Sequence, residues 1–259
     1  MTRGAEYGMD DELIRQTLDR FEAHRKGWQK NAAVRTLYRE WYAAVAAQLP
    51  PRSLGRWVEL GSGPGFARES IAELELSDIV RAPWHDHQIG AEALPFDPGS
   101  LGALVLVDVL HHLGRPAAFF AEAERVLAPG GRVILLEPLV TPLSYPVYRF
   151  LHREGCTLGV DALADAETAA RDPFEGNQAM ATVLFGRQRG RFEARFPRLH
   201  IREKRPLAGL SYPASGGFSR PPLLPLALWR TGLALERLFP QWLFGLCGFR
   251  LLVTLERTV

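Results

Sequence analysis

A glycine-rich segment directly after a short apolar stretch contains the residues whose types and spacing point most clearly to chemistry. The acid Glu59 follows Trp57-Val58 and comes just before the run Gly61-Ser62-Gly63-Pro64-Gly65. Because glycine has no Cβ, it tolerates positive φ and lets a ligand lie almost on the backbone. An acidic residue beside such a turn provides negative charge. This spacing therefore predicts a strand, a tight ligand-binding loop and a helix in succession.

The spacing of the glycines favours one class of ligand over another. In the dinucleotide-binding pattern G-x-G-x-x-G the pyrophosphate lies on a helix N-terminus, but here Phe66 occupies the third glycine position. S-adenosylmethionine (SAM) has no phosphate and instead carries an ammonium, a carboxylate and a sulfonium. Backbone N–H groups suit the carboxylate, and Glu59 suits the positive charges. We therefore predict SAM as the cofactor, with an ordinary loop as the alternative.

Two later segments extend this predicted cofactor site. Asp78 lies nineteen positions after Glu59, at the end of the next apolar stretch, where a carboxylate can accept hydrogen bonds from both ribose hydroxyls. The alternative is a solvated loop aspartate. Further along, the backbone N–H of Ala91 or the carboxylate of Glu92 is placed to contact adenine. The alternative there is a plain turn, with the apolar side chains of residues 94–96 in the core.

Asp108 and two adjacent histidines follow an uninterrupted apolar run at residues 103–107. Open α/β sheets bind ligands at the carboxyl ends of their strands, so we predict that Asp108 contacts the cofactor. His111 or His112 is a candidate general base. Adjacent histidines are expected to point to different sides, and no third ligand is evident, so no metal site is predicted. The alternative is structural: one ring packs and the other hydrogen-bonds the loop.

A third histidine lies in the segment that follows the strand ending at Glu137-Pro138. The motif His152-Arg153-Glu154 would place an imidazole and a carboxylate over the cofactor pocket, where they can orient or deprotonate a nucleophile. The alternative is an exposed helix face. The predicted catalytic candidates are therefore His111, His112, His152 and Glu154.

The elements that must position these residues alternate between strands and helices. Apolar residues at helical spacing predict helices within residues 10–48, over 66–74 and over 116–127, the last with proline at its start. Apolar runs predict strands at residues 57–60, 76–80, 103–107, 132–137, 199–204 and 251–255. This alternation predicts an α/β fold with a parallel sheet.

Composition narrows the class of protein. The chain has 259 residues, of which 47% are hydrophobic and 23% charged, with a net charge of +2. These values are typical of a globular protein with a full core. Two cysteines cannot form a disulfide framework or a recognisable zinc site, which predicts a reducing, cytoplasmic compartment. Residues 1–11 lack the apolar stretch of a signal peptide, and no run is apolar enough to predict a membrane span.

A basic run of eight arginine and lysine residues lies between Arg187 and Arg205. Its simplest interpretation is a solvated surface. The alternative is contact with an anionic substrate or lipid headgroups, supported by the aromatic residues between positions 229 and 244. The run matches no recognised nucleic-acid-binding motif, so we expect no nucleic-acid partner.

Taken in order, several motifs make this chain similar to the class I SAM-dependent methyltransferases of type 11. They lie at residues 58–65, 94–96, 108–112, 125–132 and 137–138. The resemblance implies a Rossmann-like, mostly parallel seven-stranded sheet with an antiparallel last strand at 251–256. It also implies SAM contacts from Gly61–Gly65, Asp78 and the residues around Ala91. Gly90 and Gly102 stand where the family often has aspartate.

The resemblance implies a SAM-dependent methyltransferase domain at residues 51–259, with an N-terminal helical cap at 1–50 and inserts at about 139–198 and 206–248. The apolar inserts predict a small-molecule acceptor that is bulky or lipophilic, with an oxygen nucleophile as the default and His112 or His152 as the base. One alternative is non-methyl chemistry such as cyclisation. Another is a non-catalytic protein that binds SAM or a lipid surface. Peripheral membrane contact and the oligomeric state stay open.

Overall fold

The computed structural model describes residues 9–152, 154–164, 175–218 and 220–259. Arg153 of the predicted catalytic motif and residues 165–174 of the first predicted insert lie outside this described part. The described chain contains a seven-stranded sheet in the order β3-β2-β1-β4-β5-β7-β6. Its strands are β1 Arg56–Leu60, β2 Glu75–Asp78, β3 His87–Gln88, β4 Leu101–Val107, β5 Leu127–Pro138, β6 Leu199–Leu207 and β7 Arg250–Arg257.

The strand directions confirm the predicted fold. Strands β1 to β5 are parallel to their neighbours, whereas β7 lies antiparallel between β5 and β6. Leu60 on β1 is in register with Ser77 on β2 and Leu106 on β4, and Leu106 is in register with Leu135 on β5. The carboxyl ends of these four strands therefore share one edge, where parallel sheets bind their ligands.

Helices cover both faces of the sheet. They are α1 Asp11–Lys30, α2 Ala32–Ala46, α3 Pro116–Val126, α4 Ser144–Phe150, α5 Met180–Leu184, α6 Arg189–Arg195, α7 Ser211–Ala214, α8 Leu226–Glu236 and α9 Gln241–Cys247. Side chains along β4 alternate between the two faces of the sheet. Leu104 and Leu106 pack with α3, α5 and α6 on one face, whereas Val105 and Val107 pack with α1, α2 and α8 on the other. No helix of the described residues is long and apolar enough to cross a bilayer.

The helix predicted over residues 66–74 is absent, and this prediction is wrong. Only a short 3-10 turn, Phe66–Glu69, separates the glycine loop from β2. Trp28 of α1 stacks on Phe66 with ring centroids 4.1 Å apart, so α1 occupies the layer beside this turn. The apolar residues of the segment are thus buried against the N-terminal helices without forming a helix of their own.

Candidate functional site

The glycine loop after β1 adopts the backbone conformation that its sequence predicts. Gly61, Gly63 and Gly65 have φ values of 68°, 46° and 79°, which glycine adopts with little cost. A Cβ on Gly61 would lie 2.5 Å from the side chain of Val109, and one on Gly65 would lie 2.7 Å from Trp84. Ser62 helps to fasten the loop, since its hydroxyl accepts the Ser77 N–H at 3.1 Å. Larger residues at the glycine positions would therefore disrupt the loop.

Asp78 at the end of β2 forms a hydrogen bond with the backbone of this loop. Its carboxylate accepts the Gly63 N–H at 2.9 Å and the Val80 N–H at 3.0 Å. The residue is only 6% exposed, and this burial raises its pKa. The alternative of a solvated loop aspartate is thus excluded. A carboxylate has about four acceptor sites, and three are used by the backbone N–H groups of Gly63, Ile79 and Val80, so the predicted ribose contact stays chemically open.

Glu59 is buried below the loop. One carboxylate oxygen accepts the Tyr42 hydroxyl at 3.1 Å, whereas Oε2 has no hydrogen-bond partner among the described residues. Burial raises the pKa of Glu59 to about 7. A buried carboxylate oxygen without a partner, with Asp78 and Asp108 on the same sheet edge, suits a cofactor that carries an ammonium and a sulfonium. The residues present therefore fit SAM.

Helix α1 covers the glycine loop. Arg25 donates from Nη1 to the Pro64 carbonyl at 2.9 Å and lies 4.3 Å from the centroid of the Trp84 ring. The Phe21 ring would lie 3.5 Å from a Cβ built on Gly63. These side chains of α1 therefore pack against the glycine loop.

The structure places the two residues predicted to contact adenine, Ala91 and Glu92, in different surroundings. Glu92 does not face the cofactor edge freely, because its carboxylate accepts both the backbone N–H of Arg115 at 2.7 Å and Arg115 Nε at 2.9 Å. Glu92 thus holds the start of α3 through Arg115, and its contact with adenine stays a prediction. Ala91 is buried in the preceding turn, and its backbone stays a predicted contact. Leu94 and Phe96 are core residues, as the alternative interpretation held.

Asp108 lies at the end of β4, on the same sheet edge as the glycine loop. Its backbone φ is 59°, which is rare outside glycine, and its Oδ1 lies 2.6 Å from Nη1 of Arg250. Arg250 is 1% exposed and lies over the Trp41 ring at 4.9 Å from the centroid. The sequence patterns above do not single out Arg250. The one feature that could have indicated a buried arginine is its position at the start of an otherwise apolar strand.

Glu137 fixes the turn that carries the two histidines. This turn, Leu110–His112, follows β4 as one 3-10 turn. One Glu137 oxygen accepts the N–H groups of Val109 and Leu110 at 2.9 and 2.8 Å, and the other accepts His111 Nδ1 at 2.6 Å. A fully buried carboxylate at the end of β5 thus sets both the backbone and the imidazole of this turn.

Glu154 joins the two histidines in one cluster. Its Oε2 lies 3.1 Å from His111 Nε2 and 3.9 Å from His112 Nε2, and the two rings lie 4.0 Å apart. The expectation that the adjacent histidines point to different sides is wrong, because a 3-10 turn does not alternate its side chains as a strand does. One ligand atom from each of the three residues lies within 4.8 Å of the others. We call these three residues the histidine cluster.

Residues 175–178 hold the histidine cluster in place. Gln178 donates from its amide nitrogen to Glu154, and the Glu175 carbonyl lies 3.3 Å from His112 Nδ1. Gly176 lies so close that a Cβ there would be 2.8 Å from His112 Nδ1. His152 Nδ1 accepts the backbone N–H of Glu154 at 3.3 Å. The contacts of residues 175–178 with the cluster could not be predicted from the sequence, because these residues lie far from the histidines along the chain.

The charges of the cluster reinforce one another. Burial alone would lower the pKa of His111, but Glu137 and Glu154 raise it to about 10. Burial would raise the pKa of Glu154, but His111 and the neighbouring histidines lower it to about 2. Burial and the neighbouring His111 lower the pKa of His112. The pKa values of the two neighbouring histidines are therefore shifted in opposite directions.

A cavity of about 230 Å³ opens beside the histidine cluster. Its walls come from the turn after β4 and from two segments of the first predicted insert. The lining residues are His111, Gly155, Thr157, Val160, Glu175, Gly176, Asn177 and Met180. The mixed polar and apolar lining makes this cavity the candidate acceptor pocket.

The basic run at residues 187–205 forms intramolecular ion pairs. Five of its arginines lie within 4.0 Å of a carboxylate, in the pairs Arg189–Glu193, Arg191–Asp161, Arg198–Glu124, Arg202–Glu256 and Arg205–Glu203. Exposed pairs of this kind are typical of a solvated surface. This pairing favours the simpler interpretation of the run over a dedicated headgroup site.

Comparison with known proteins decides the family. Residues 58–135 match the type 11 methyltransferase family, described as "Methyltransferase domain". This segment belongs to the class I SAM-dependent methyltransferases. It contains the glycine loop, Asp78, Asp108 and both clustered histidines, and SAM is the cofactor of the domain. A protein of a Streptomyces fradiae transposon is 39% identical over 66 residues, which is 26% of this chain and 16% of that protein.

The chain is similar to several solved structures, one of which shares its overall fold. A chain of the complex between the Haloferax volcanii Trm112 methyltransferase activator and a methyltransferase matches with a TM-score of 0.51 and 15% identity, covering 97% of this chain and 100% of that chain. Geranyl diphosphate C-methyltransferase from Streptomyces coelicolor, solved with Mg²⁺, geranyl diphosphate and S-adenosylhomocysteine, has a TM-score of 0.47 and 13% identity. It is covered over 78% of its length by 85% of this chain.

Proposed function

We propose that this chain transfers the methyl group of SAM to an oxygen atom of a small, lipophilic acceptor. The observation that carries the proposal is the histidine cluster, which lies beside a cavity of about 230 Å³. This cavity is on the same sheet edge as the glycine loop. Cofactor and acceptor sites thus lie on the two sides of Asp108.

On the cofactor side, the chain's role is to bind and orient. Backbone N–H groups of Gly61–Gly65 suit the carboxylate of the cofactor, Glu59 and Asp108 suit its positive charges, and Asp78 suits the ribose. SAM supplies a methyl group on a sulfonium, which is a good leaving group. Correct alignment of two reactants can contribute about 7–11 kcal/mol to lowering a barrier, so few further groups are required.

On the acceptor side, the histidine cluster provides the place where a hydroxyl loses its proton. Of the two histidines predicted as the base, His112 faces the cluster, whereas His152 bonds the backbone of Glu154. A positioned proton acceptor contributes about 10²–10⁴-fold to a rate. Glu137 and Gln178 fix the orientation of the groups that take part.

The test measures release of S-adenosylhomocysteine with a panel of lipophilic alcohols and phenols. The wild-type chain is expected to release it with at least one acceptor, and His112→Asn is expected to lose about 10²-fold or more in kcat while it keeps its affinity for SAM. Product formation without S-adenosylhomocysteine would show cyclisation or other non-methyl chemistry instead. Equal kcat in both proteins would remove the cluster from the reaction.

The exposed face of α8 and α9 supports a lipophilic source for the acceptor. Six large apolar side chains are exposed on these helices and the turn between them: Leu228 at 59%, Leu235 at 58%, Leu238 at 78%, Phe239 at 42%, Trp242 at 68% and Leu246 at 51%. We call them the α8–α9 face. Arg230 lies exposed on the same helix. Leucine and tryptophan beside an arginine are typical of segments that lie at a membrane surface.

Vesicle sedimentation tests this part of the proposal. The wild-type chain is expected to sediment with vesicles that contain phosphatidylglycerol, and the double variant Leu238→Ser, Trp242→Ser is expected to lose at least five-fold of that binding. Both side chains are exposed, so the fold is expected to be unaffected. Leu158→Ser, at an exposed leucine outside this face, is the control. Equal sedimentation of all three proteins, or self-association through this face without vesicle binding, would contradict membrane contact.

A further inference from the structure

We propose that the histidine cluster binds a divalent transition-metal ion such as Zn²⁺, Mn²⁺ or Fe²⁺. The ligand atoms are Nε2 of His111, Nε2 of His112 and a carboxylate oxygen of Glu154. Binding of the ion depends only on these residues. What the ion does for the reaction rests on the proposed function above.

The hydrogen bonds of the two histidines leave both Nε2 atoms able to give an electron pair to a metal ion. His111 Nδ1 lies 2.6 Å from a carboxylate oxygen of Glu137, and His112 Nδ1 lies 3.3 Å from the Glu175 carbonyl. Because both partners only accept hydrogen bonds, each Nδ1 carries the hydrogen. When an ion binds and displaces the hydrogen on His111 Nε2, each imidazole directs an Nε2 lone pair towards the same side as the Glu154 oxygen.

Such an arrangement is unfavourable without a positive charge among the three atoms. A single proton can bridge only one imidazole to the carboxylate, whereas a metal ion can share all three electron pairs. Imidazole nitrogen and carboxylate oxygen are the ligands that catalytic zinc and non-haem iron(II) sites use. Three protein ligands leave at least one coordination position open.

The distances suit an ion of this size. With metal–ligand bonds of about 2.1 Å, tetrahedral ligands lie about 3.4 Å apart. Glu154 Oε2 lies 3.1 Å from His111 Nε2 and 3.9 Å from His112 Nε2. All three ligand atoms lie within 4.8 Å of one another. Binding of an ion would draw His112 and Glu154, each about one-fifth exposed, closer together.

The surroundings have the features of a supported metal site. In such sites a ligand histidine donates its other ring N–H to a carboxylate or a carbonyl, as His111 and His112 do here. Gln178 donates to Glu154 and orients its carboxylate. The backbone of Gly176 lies directly against both rings. His111 of the cluster and Gly176 beside it line the cavity of about 230 Å³.

With the ion bound, His112 Nε2 is a ligand and cannot also accept a proton, so the ion acidifies the acceptor in place of His112 acting as a base. A cation beside a hydroxyl group lowers the pKa of that group by stabilising the oxyanion. The O–H bond breaks and its proton passes to solvent. The oxygen then forms a bond to the methyl carbon as the carbon–sulfur bond of SAM breaks, so S-adenosylhomocysteine leaves as a neutral thioether and no redox partner is required.

The experiment uses the full chain after treatment with a chelator. Titration with Zn²⁺, Mn²⁺ and anaerobic Fe²⁺ by calorimetry is expected to show one site, and Co²⁺ is expected to give visible absorption bands from the nitrogen and oxygen ligands. Glu154→Gln and His112→Gln are each expected to weaken binding at least ten-fold. Glu175→Gln is the matched control, because the described contact of Glu175 with the cluster is through its backbone carbonyl.

Circular dichroism and titration with SAM check that every variant is folded. Absence of binding for all these metals in folded wild-type protein would overturn the proposal, as would equal affinity in Glu154→Gln and wild type. Release of S-adenosylhomocysteine is measured separately. Methyl transfer without metal binding would remove only the metal site, whereas metal binding without methyl transfer to any acceptor would remove the proposed function and leave the site.

Discussion

The cofactor side and the acceptor side of this sheet edge are built in different ways. On the cofactor side, Glu59, the glycine loop and Asp78 lie within twenty consecutive residues. On the acceptor side, the histidine cluster and its supports come from four separate segments of the chain, at residues 108–112, 137, 154 and 175–178. The first side depends on local backbone geometry and the second on long-range packing, so variants should affect the two sides separately.

The largest expected effect is on the cofactor side. Gly63→Arg is expected to abolish SAM binding, because the new side chain would fill the space between the loop and Phe21. Gly99→Arg is the matched control: Gly99 also has a positive φ of 69°, but a Cβ there meets nothing within 4 Å. Calorimetric titration with SAM measures both variants. If Gly63→Arg binds SAM as the control does, the loop is not the cofactor site.

Between the two sides, the buried ion pair of Arg250 and Asp108 is expected to dominate stability. Arg250→Met should lower the free energy of unfolding by about 3–5 kcal/mol, because it leaves the partner charge without compensation. Arg205→Met, at an exposed pair with Glu203, should cost less than about 1 kcal/mol. Urea unfolding measures both. Similar losses for the two variants would show that the buried pair has no special role.

Glu59 is expected to give the cofactor side a distinct pH dependence. The folded protein keeps the Glu59 proton up to a pKa of about 7, whereas the unfolded chain releases it near its ordinary value. Stability should therefore fall as the pH rises through this window and stay constant above it. The contribution from pH 5 to 8 is about 3 kcal/mol.

Urea unfolding of wild type and Glu59→Gln at several pH values isolates this contribution. The variant cannot release a proton at this position, so the difference in stability between the two proteins should change by about 3 kcal/mol from pH 5 to 8. Glu22→Gln, at an exposed acid on α1, should follow the wild-type curve. A Glu59→Gln curve parallel to wild type would mean that the buried carboxyl does not titrate in this range.

The smallest expected effect is a packing change on the acceptor side. Gly176→Ala places a Cβ 2.8 Å from His112 Nδ1, which should destabilise the chain by about 1–3 kcal/mol and displace the imidazole. SAM affinity should stay unchanged. Gly159→Ala, where a Cβ meets nothing within 4 Å, is the control. Equal thermal unfolding of the two variants would show that residues 175–178 do not hold the cluster rigidly.

The cofactor side was largely predictable from the sequence because its signals are local. Glycines at the end of one strand and an acid at the end of the next are positioned by the strand–loop–strand geometry alone. The structure shows the expected positive φ values of the glycines and the burial of Asp78. The exception is a packing effect, because helix α1 occupies the layer of the helix expected over residues 66–74. The carboxylate of Glu92 binds Arg115, and its contact with adenine stays a prediction.

The acceptor side was not predictable at the same level. His111, His112 and Glu154 were each recognised as candidates, but their convergence depends on a 3-10 turn, on Glu137 and on Gln178. No short-range pattern links these positions. Buried Arg250 is a similar case, since its partner Asp108 lies on a different strand end. Residues that are distant in sequence meet only through the strand order of the sheet.

Calorimetric titration of the full chain with SAM and, separately, with NAD tests the central claim most directly. The glycine spacing and the carboxylates of Glu59, Asp78 and Asp108 predict micromolar binding of SAM and no binding of NAD. Folded protein that binds NAD as well as SAM, or that binds neither, would contradict the assignment of this sheet edge as a SAM site.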